Sequence, residues 1–93
     1  MNADVVTLLT VPAVRDVFNK VAKERTIRFK KLQNDLGIER DEAFASLNKL
    51  KEANLILKEA NLIKEHEAAV EDFTTFYVTA EGLSVERELR NLR

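Results

Sequence analysis

The chain contains no cysteine, no tryptophan, a single proline, only two glycines and no apolar run longer than three residues. Each of these absences excludes something. Without cysteine there is no disulfide framework, no thiolate metal site and no thiol nucleophile, and a reducing, cytoplasmic setting fits. Two glycines cannot supply a glycine-rich phosphate loop. They are also too few for the turns of an all-β domain, which predicts a chain that is mostly helix. A membrane span needs about 20 consecutive apolar residues, far beyond runs such as Leu55-Ile56-Leu57. The N-terminus likewise lacks the basic-then-apolar layout of a secretory signal.

What is present is the material of one globular domain, expected to span residues 1–93. The chain is 45% apolar and 33% charged, enough for one modest core and not two. Its net charge of −1 conceals a polarity along the sequence. Residues 5–51 carry ten basic and six acidic side chains, a balance of +4, whereas residues 52–82 carry two basic and seven acidic, a balance of −5. A basic half precedes an acidic one.

Hydrophobic spacing sets out the elements. Val5, Val6, Leu8 and Leu9 form a short apolar opening, a turn of helix or an arm. Thr10 can cap the next helix, and Pro12 suits its first turn, where a missing N–H costs nothing. Val11, Val14, Phe18 and Val21 then recur at three- and four-residue spacing, which predicts an amphipathic helix to about Glu24. Thr26-Ile27-Arg28-Phe29 reads as a single extended stretch. Phe29, Leu32 and Leu36 mark a short helix stopped by Gly37, and Ala43, Leu47 and Leu50 mark a second. Two helices joined by a glycine turn form a helix-turn-helix. Phe73 to Val78 is the strongest strand signal, Thr79 is a good cap, and Leu83, Val85, Leu89 and Leu92 give the last helix its apolar side.

The stretch from Lys51 to Asp72 admits two readings. Lys51-Glu52-Ala53-Asn54-Leu55-Ile56 is repeated, seven residues on, as Lys58-Glu59-Ala60-Asn61-Leu62-Ile63. A shift of seven preserves a helix face but exchanges the faces of a strand, which favours a helix running to about Ala60. Turn chemistry instead favours a stop at Asn54 and a strand from Leu55. Under either reading a strand precedes an acidic tip near Glu67 to Asp72 and pairs back with residues 73–78.

Helix, short strand, helix, turn, helix, hairpin, helix is an order that resembles the winged helix-turn-helix transcriptional regulators of the small MarR- or ArsR-like kind. The matching residues are Leu36-Gly37-Ile38 at the turn, the run from Leu47 to Ile56 leaving the second helix, and Tyr77-Val78-Thr79-Ala80-Glu81-Gly82 leaving the hairpin. The resemblance covers about residues 8–92. It departs from the family pattern where Asn54 replaces a glycine, where the hairpin gains residues, and where the wing tip is acidic. It implies a mainly helical fold with a two-stranded wing and a recognition helix over 39–53 that enters the major groove of double-stranded DNA.

On that helix the solvent side is expected to offer Arg40, Ser46, Asn48 and Lys49 for base contact, Arg40 first because arginine bonds guanine through two hydrogen bonds. Carboxylates at Glu39, Asp41 and Glu42 suit the helix dipole but repel phosphate. Arg28, Lys30 and Lys31 are expected to hold phosphates. The two lysines open a short helix, where the dipole disfavours cations unless an external anion compensates. His66 among the carboxylates of the tip lacks the converging ligands of a metal site, so a solvated hairpin tip is expected. No nucleophile has a base placed beside it in sequence, so neither an enzyme nor a cofactor is expected.

Two functions are compatible with these features. One is a DNA-binding transcriptional regulator, with the apolar termini making a homodimer or else closing the monomer core. The other is a winged-helix protein-interaction module whose acidic wing or terminal helices bind another protein without DNA.

Overall fold

Apolar residues on one side of the helix α2 (Pro12–Glu24) organise the core. Val14, Val17, Phe18, Val21 and Ala22 are buried there, and Val17 extends the sequence-read stripe by one residue. The structure, a computed structural model, describes residues 3–59 and 70–91. Before α2 lies α1 (Ala3–Leu9); after it come β1 (Thr26–Arg28), α3 (Phe29–Leu36), α4 (Arg40–Glu52), β2 (Ile56–Lys58), β3 (Thr75–Val78) and α5 (Ala80–Asn91). Ala43, Leu47 and Leu50 of α4, Leu32 of α3, Ile27 of β1 and Val85 of α5 complete the same core.

The apolar opening is a helix whose Val5 and Leu9 are buried in that core. Thr10 does not cap α2. Its hydroxyl donates to the Thr7 carbonyl at 2.6 Å, closing α1 instead, while Val11 takes the N-cap position without a side-chain bond and stays exposed. Pro12 occupies the first turn of α2 as expected.

Both helix stops in the helix-turn-helix are left-handed residues. Gly37 closes α3 at φ 62°. Asn54 stands at φ 61° just beyond α4, and β2 begins two residues later. The shorter of the two readings of this helix is therefore the observed one. A polar side chain that tolerates the left-handed region outweighed the heptad repeat. The second copy of the repeat lies mostly outside the described residues, as do His66, Glu65 and Glu67 of the tip.

The hairpin is part of a larger sheet. β3 lies between β1 and β2, antiparallel to both, pairing Ile27 with Phe76 and Ile56 with Val78. The short strand was expected to stand alone, because nothing local reports a pairing that spans about 50 residues. Ile27, Ile56, Phe76 and Val78 face the core, whereas Leu57 and Tyr77 are partly exposed on the other side. Phe73 lies ahead of the strand, in a turn, and is 66% exposed.

The candidate nucleic-acid interface

Three chain segments meet at one end of the helix-turn-helix: the start of α3, the start of α4 and the turn at residues 71–74. Backbone bonds fasten the first to the third. The N–H groups of Phe29 and Lys30 donate to the carbonyls of Thr74 (2.8 Å) and Asp72 (3.0 Å). Two of the free amides that open a helix are thereby satisfied within the protein. Within the turn, the buried Thr74 accepts the Glu71 N–H through its hydroxyl at 2.8 Å.

Arg40 fastens the second segment. Its guanidinium donates to the Val70 carbonyl, lies 3.3 Å from the Asp72 carboxylate, and covers the Phe29 ring at 5.0 Å from its centroid. Phe29 is fully buried and packs at 6.4 Å against Phe76 of the central strand. Arg40 thus seals the edge of the core while its planar head uses a ring face, a carbonyl and a carboxylate together. Its first engagement is with the protein itself.

The two lysines of α3 have different surroundings. Lys31 lies 2.5 Å from Asp35, one helical turn on, and 3.6 Å from Glu24. Lys20 completes the group, at 3.0 Å from Asp35 and 3.3 Å from Glu24. Two cations and two anions balance here. Hydrogen bonding to Asp35 raises the Lys31 and Lys20 ammonium groups above their usual range, and the lysines hold the Asp35 and Glu24 carboxyls below theirs. The compensation for Lys31 comes from its own chain, through a four-residue spacing that was visible in the sequence. Lys30 is exposed, and among the described residues it has no ion pair; the same is true of Arg28. Arg28, Lys30, Lys31, Asn34, Asp35, Asp72 and Phe73 line one open groove.

The remaining candidates are spread along α4. Ser46 is 3% exposed and turned into the core beside Ala43 and Leu47, so its expected solvent-side position is corrected. At 3.6 residues per turn it stands three residues from Ala43 and four from Leu50, and so shares their inward side. Asn48 is half-buried, and Lys49 is exposed in a groove with Asp4, Glu52 and Glu81. The outward side of α4 presents Asp41, Glu42, Ala45 and Glu52 around them. Sequence reading placed Phe73 in the strand, whereas it lines this groove from the turn before it. The Glu71-Asp72 pair before it, a turn signal, could have marked the boundary.

No helix among the described residues is long and apolar enough to cross a membrane. No family model matches the chain, and no curated protein matches it in sequence. Among solved structures it is similar to the reduced form of the transcriptional regulator YodB from B. subtilis, with a TM-score of 0.77 at 11% identity over 99% of this chain and 87% of that one. It is also similar to NadR in complex with 4-hydroxyphenylacetate, with a TM-score of 0.70 at 19% identity over 91% of this chain. A third likeness is to apo ZitR from Lactococcus lactis, with a TM-score of 0.62 at 16% identity over 95% of this chain. The chain spans 59% of the length of NadR and 64% of that of ZitR. Among the described residues, five helices around a small three-stranded antiparallel sheet, in this order and with these neighbours, make the fold a winged helix-turn-helix.

Proposed function

We propose that the chain is the DNA-binding domain of a transcriptional regulator, acting in the cytoplasm as a homodimer on double-stranded DNA and catalysing no reaction. The observation that carries this reading is the surplus of positive charge at the start of the helix-turn-helix. Asp35 is offset by Lys31 and Lys20, and Asp72 by Arg40, which leaves Arg28 and Lys30 facing solvent without a counter-charge among the described residues. Cations at that position suit the phosphates flanking a major groove that α4 enters. Arg28 and Lys30 are the phosphate contacts, with Lys31 secondary because its charge is already matched. Asn48 and Lys49 are the base-contact candidates, and Arg40 joins them only if it releases Asp72. Likeness to a transcriptional regulator supports the same reading.

The acidic outward side of α4, with Asp41, Glu42 and Glu52, favours the second reading, a protein-interaction module that leaves DNA alone. Binding to a mixed-sequence duplex across a salt series separates the two. Each neutralised phosphate contributes a slope of about −0.9 to log K against log salt. The regulator reading expects steep weakening with salt, and Lys30→Ala should flatten the slope by about one contact. An absence of binding at about 50 mM salt, where such contacts are strong, leaves the interaction module as the function.

A further inference from the structure

Among the described residues Phe73 is the most exposed of the large apolar side chains, at 66%, and it lines the groove that holds the two uncompensated cations. Its turn is well anchored. Thr74 is 2% exposed, its carbonyl accepts from Phe29, and its hydroxyl accepts from Glu71, so the residue beside Phe73 is fixed to the start of α3. An aromatic ring held out in water on a turn hydrogen-bonded to α3 contributes little burial to the fold.

The charges around it indicate the partner. Both carboxylates of the groove are matched by cations of the protein, and Arg28 and Lys30 remain. A ligand that fits must be anionic at a repeating interval and must offer an apolar surface between its charges. The sugar-phosphate strand of a duplex has that pattern, since each deoxyribose turns a C–H edge outward between two phosphates. The groove also adjoins the start of α4, because Asp72 both lines it and pairs with Arg40. A strand lying along it therefore passes the end of the helix-turn-helix.

We infer that Phe73 packs against a deoxyribose of the DNA strand whose phosphates Arg28 and Lys30 hold, forming an apolar contact inside an otherwise electrostatic footprint. This inference rests on the DNA-binding reading and adds a backbone contact outside the recognition helix. Such a contact positions the duplex without reading its sequence.

Charge and apolar contact respond differently to salt, and that makes the inference testable on the full chain. Duplexes of unrelated sequence are titrated at several salt concentrations with the unsubstituted protein, Phe73→Ala, Phe73→Leu and Lys30→Ala. Phe73→Ala should weaken binding about fivefold at every salt concentration and on every sequence, with an unchanged slope, as expected for lost apolar burial. Phe73→Leu should recover most of that loss, and Lys30→Ala should flatten the slope. Thermal unfolding should be nearly the same for both Phe73 variants, since the ring is exposed. Unchanged affinity in Phe73→Ala beside salt-dependent binding by the unsubstituted chain overturns this inference alone. No salt-dependent binding by the unsubstituted chain overturns the DNA reading and the inference with it.

Discussion

Beside its packing on α2, the second helix of the helix-turn-helix is flanked by two junctions, and they are built on different physics. Behind α4, where β2 and α5 meet, the contacts are close and mostly buried. Leu55 and Ile56 are fully buried, and the first turn of α5 sits so near the Leu55 backbone that Gly82 has no room for a side chain. Thr79 ties the seam together. Its hydroxyl accepts the Gly82 N–H at 2.8 Å and donates to the Asn54 carbonyl at 2.7 Å. In front of α4, where α3 and the turn at 71–74 meet, the contacts are charged and half in water, with Arg40 and Asp72 about 49% and 63% exposed. The rear junction backs the helix by shape, through buried side chains and a close backbone approach. The front one holds it by charge, which an incoming polyanion can compete for.

Breaking the rear junction should have the largest effect. A Cβ on Gly82 would stand 2.2 Å from the Leu55 carbonyl oxygen and 2.8 Å from Val78 Cγ2. One of these neighbours is backbone, so the seam itself must shift. Gly82→Ala should therefore cost about 3 kcal/mol, despite the better helix propensity of alanine. Denaturant unfolding checks this; a gain in stability would show that α5 sits more loosely than described.

The front junction should cost less. Arg40→Ala removes a ring contact, a charged hydrogen bond and an exposed ion pair, together worth about 1–2 kcal/mol after solvent screening. Arg40→Lys should lose most of the same amount, because an ammonium cannot lie flat on the Phe29 ring while bonding two oxygens. Equal stability of the lysine variant and the parent would mean that charge alone matters there.

The smallest effect belongs to the four-charge network between α2 and α3, which lies at the surface with only Lys31 more than half exposed. The Asp35 and Glu24 carboxyls are held below their usual values of 3.8 and 4.5. Their contribution is thus fully present above those values and lost as pH falls through the lowered ones. Lys20 and Lys31, raised above 10.5, contribute below that value and lose their contribution as pH climbs past the raised one. The stability difference between the parent and Asp35→Asn should be level from about pH 5 to 10 and should shrink below pH 4. A difference unchanged at pH 2 would mean that the carboxylate plays no part.

Much of this architecture was legible because its signals are local. Gly37 and Asn54 mark the helix stops, the stripe from Val14 to Val21 marks the central helix, and the Thr79 cap marks the last one. Each states a preference of a few neighbouring residues. The candidate site was less legible because its properties come from pairs remote in sequence. Lys30 and Lys31 look alike as neighbours, yet one is matched by Asp35 and Glu24 and the other faces solvent. Arg40 looked free until the turn at Val70 and Asp72 was brought against it. Ser46 and Phe73 were misplaced by one step of helix phase and by the start of a strand.

By itself, the sequence determined the helices from α2 to α5, their order and the Gly37 stop, since periodicity and turn chemistry act over a few residues, while the end of α4 stayed open between Asn54 and Ala60 and the fold class came from resemblance. Only the tertiary structure decided that β1 joins the hairpin, that Arg40 is engaged, and that the exposed cations at the front are Arg28 and Lys30. Those outcomes depend on which charges and strands meet across the fold. Electrostatic and strand pairing are satisfied by distance in space, which no local pattern encodes.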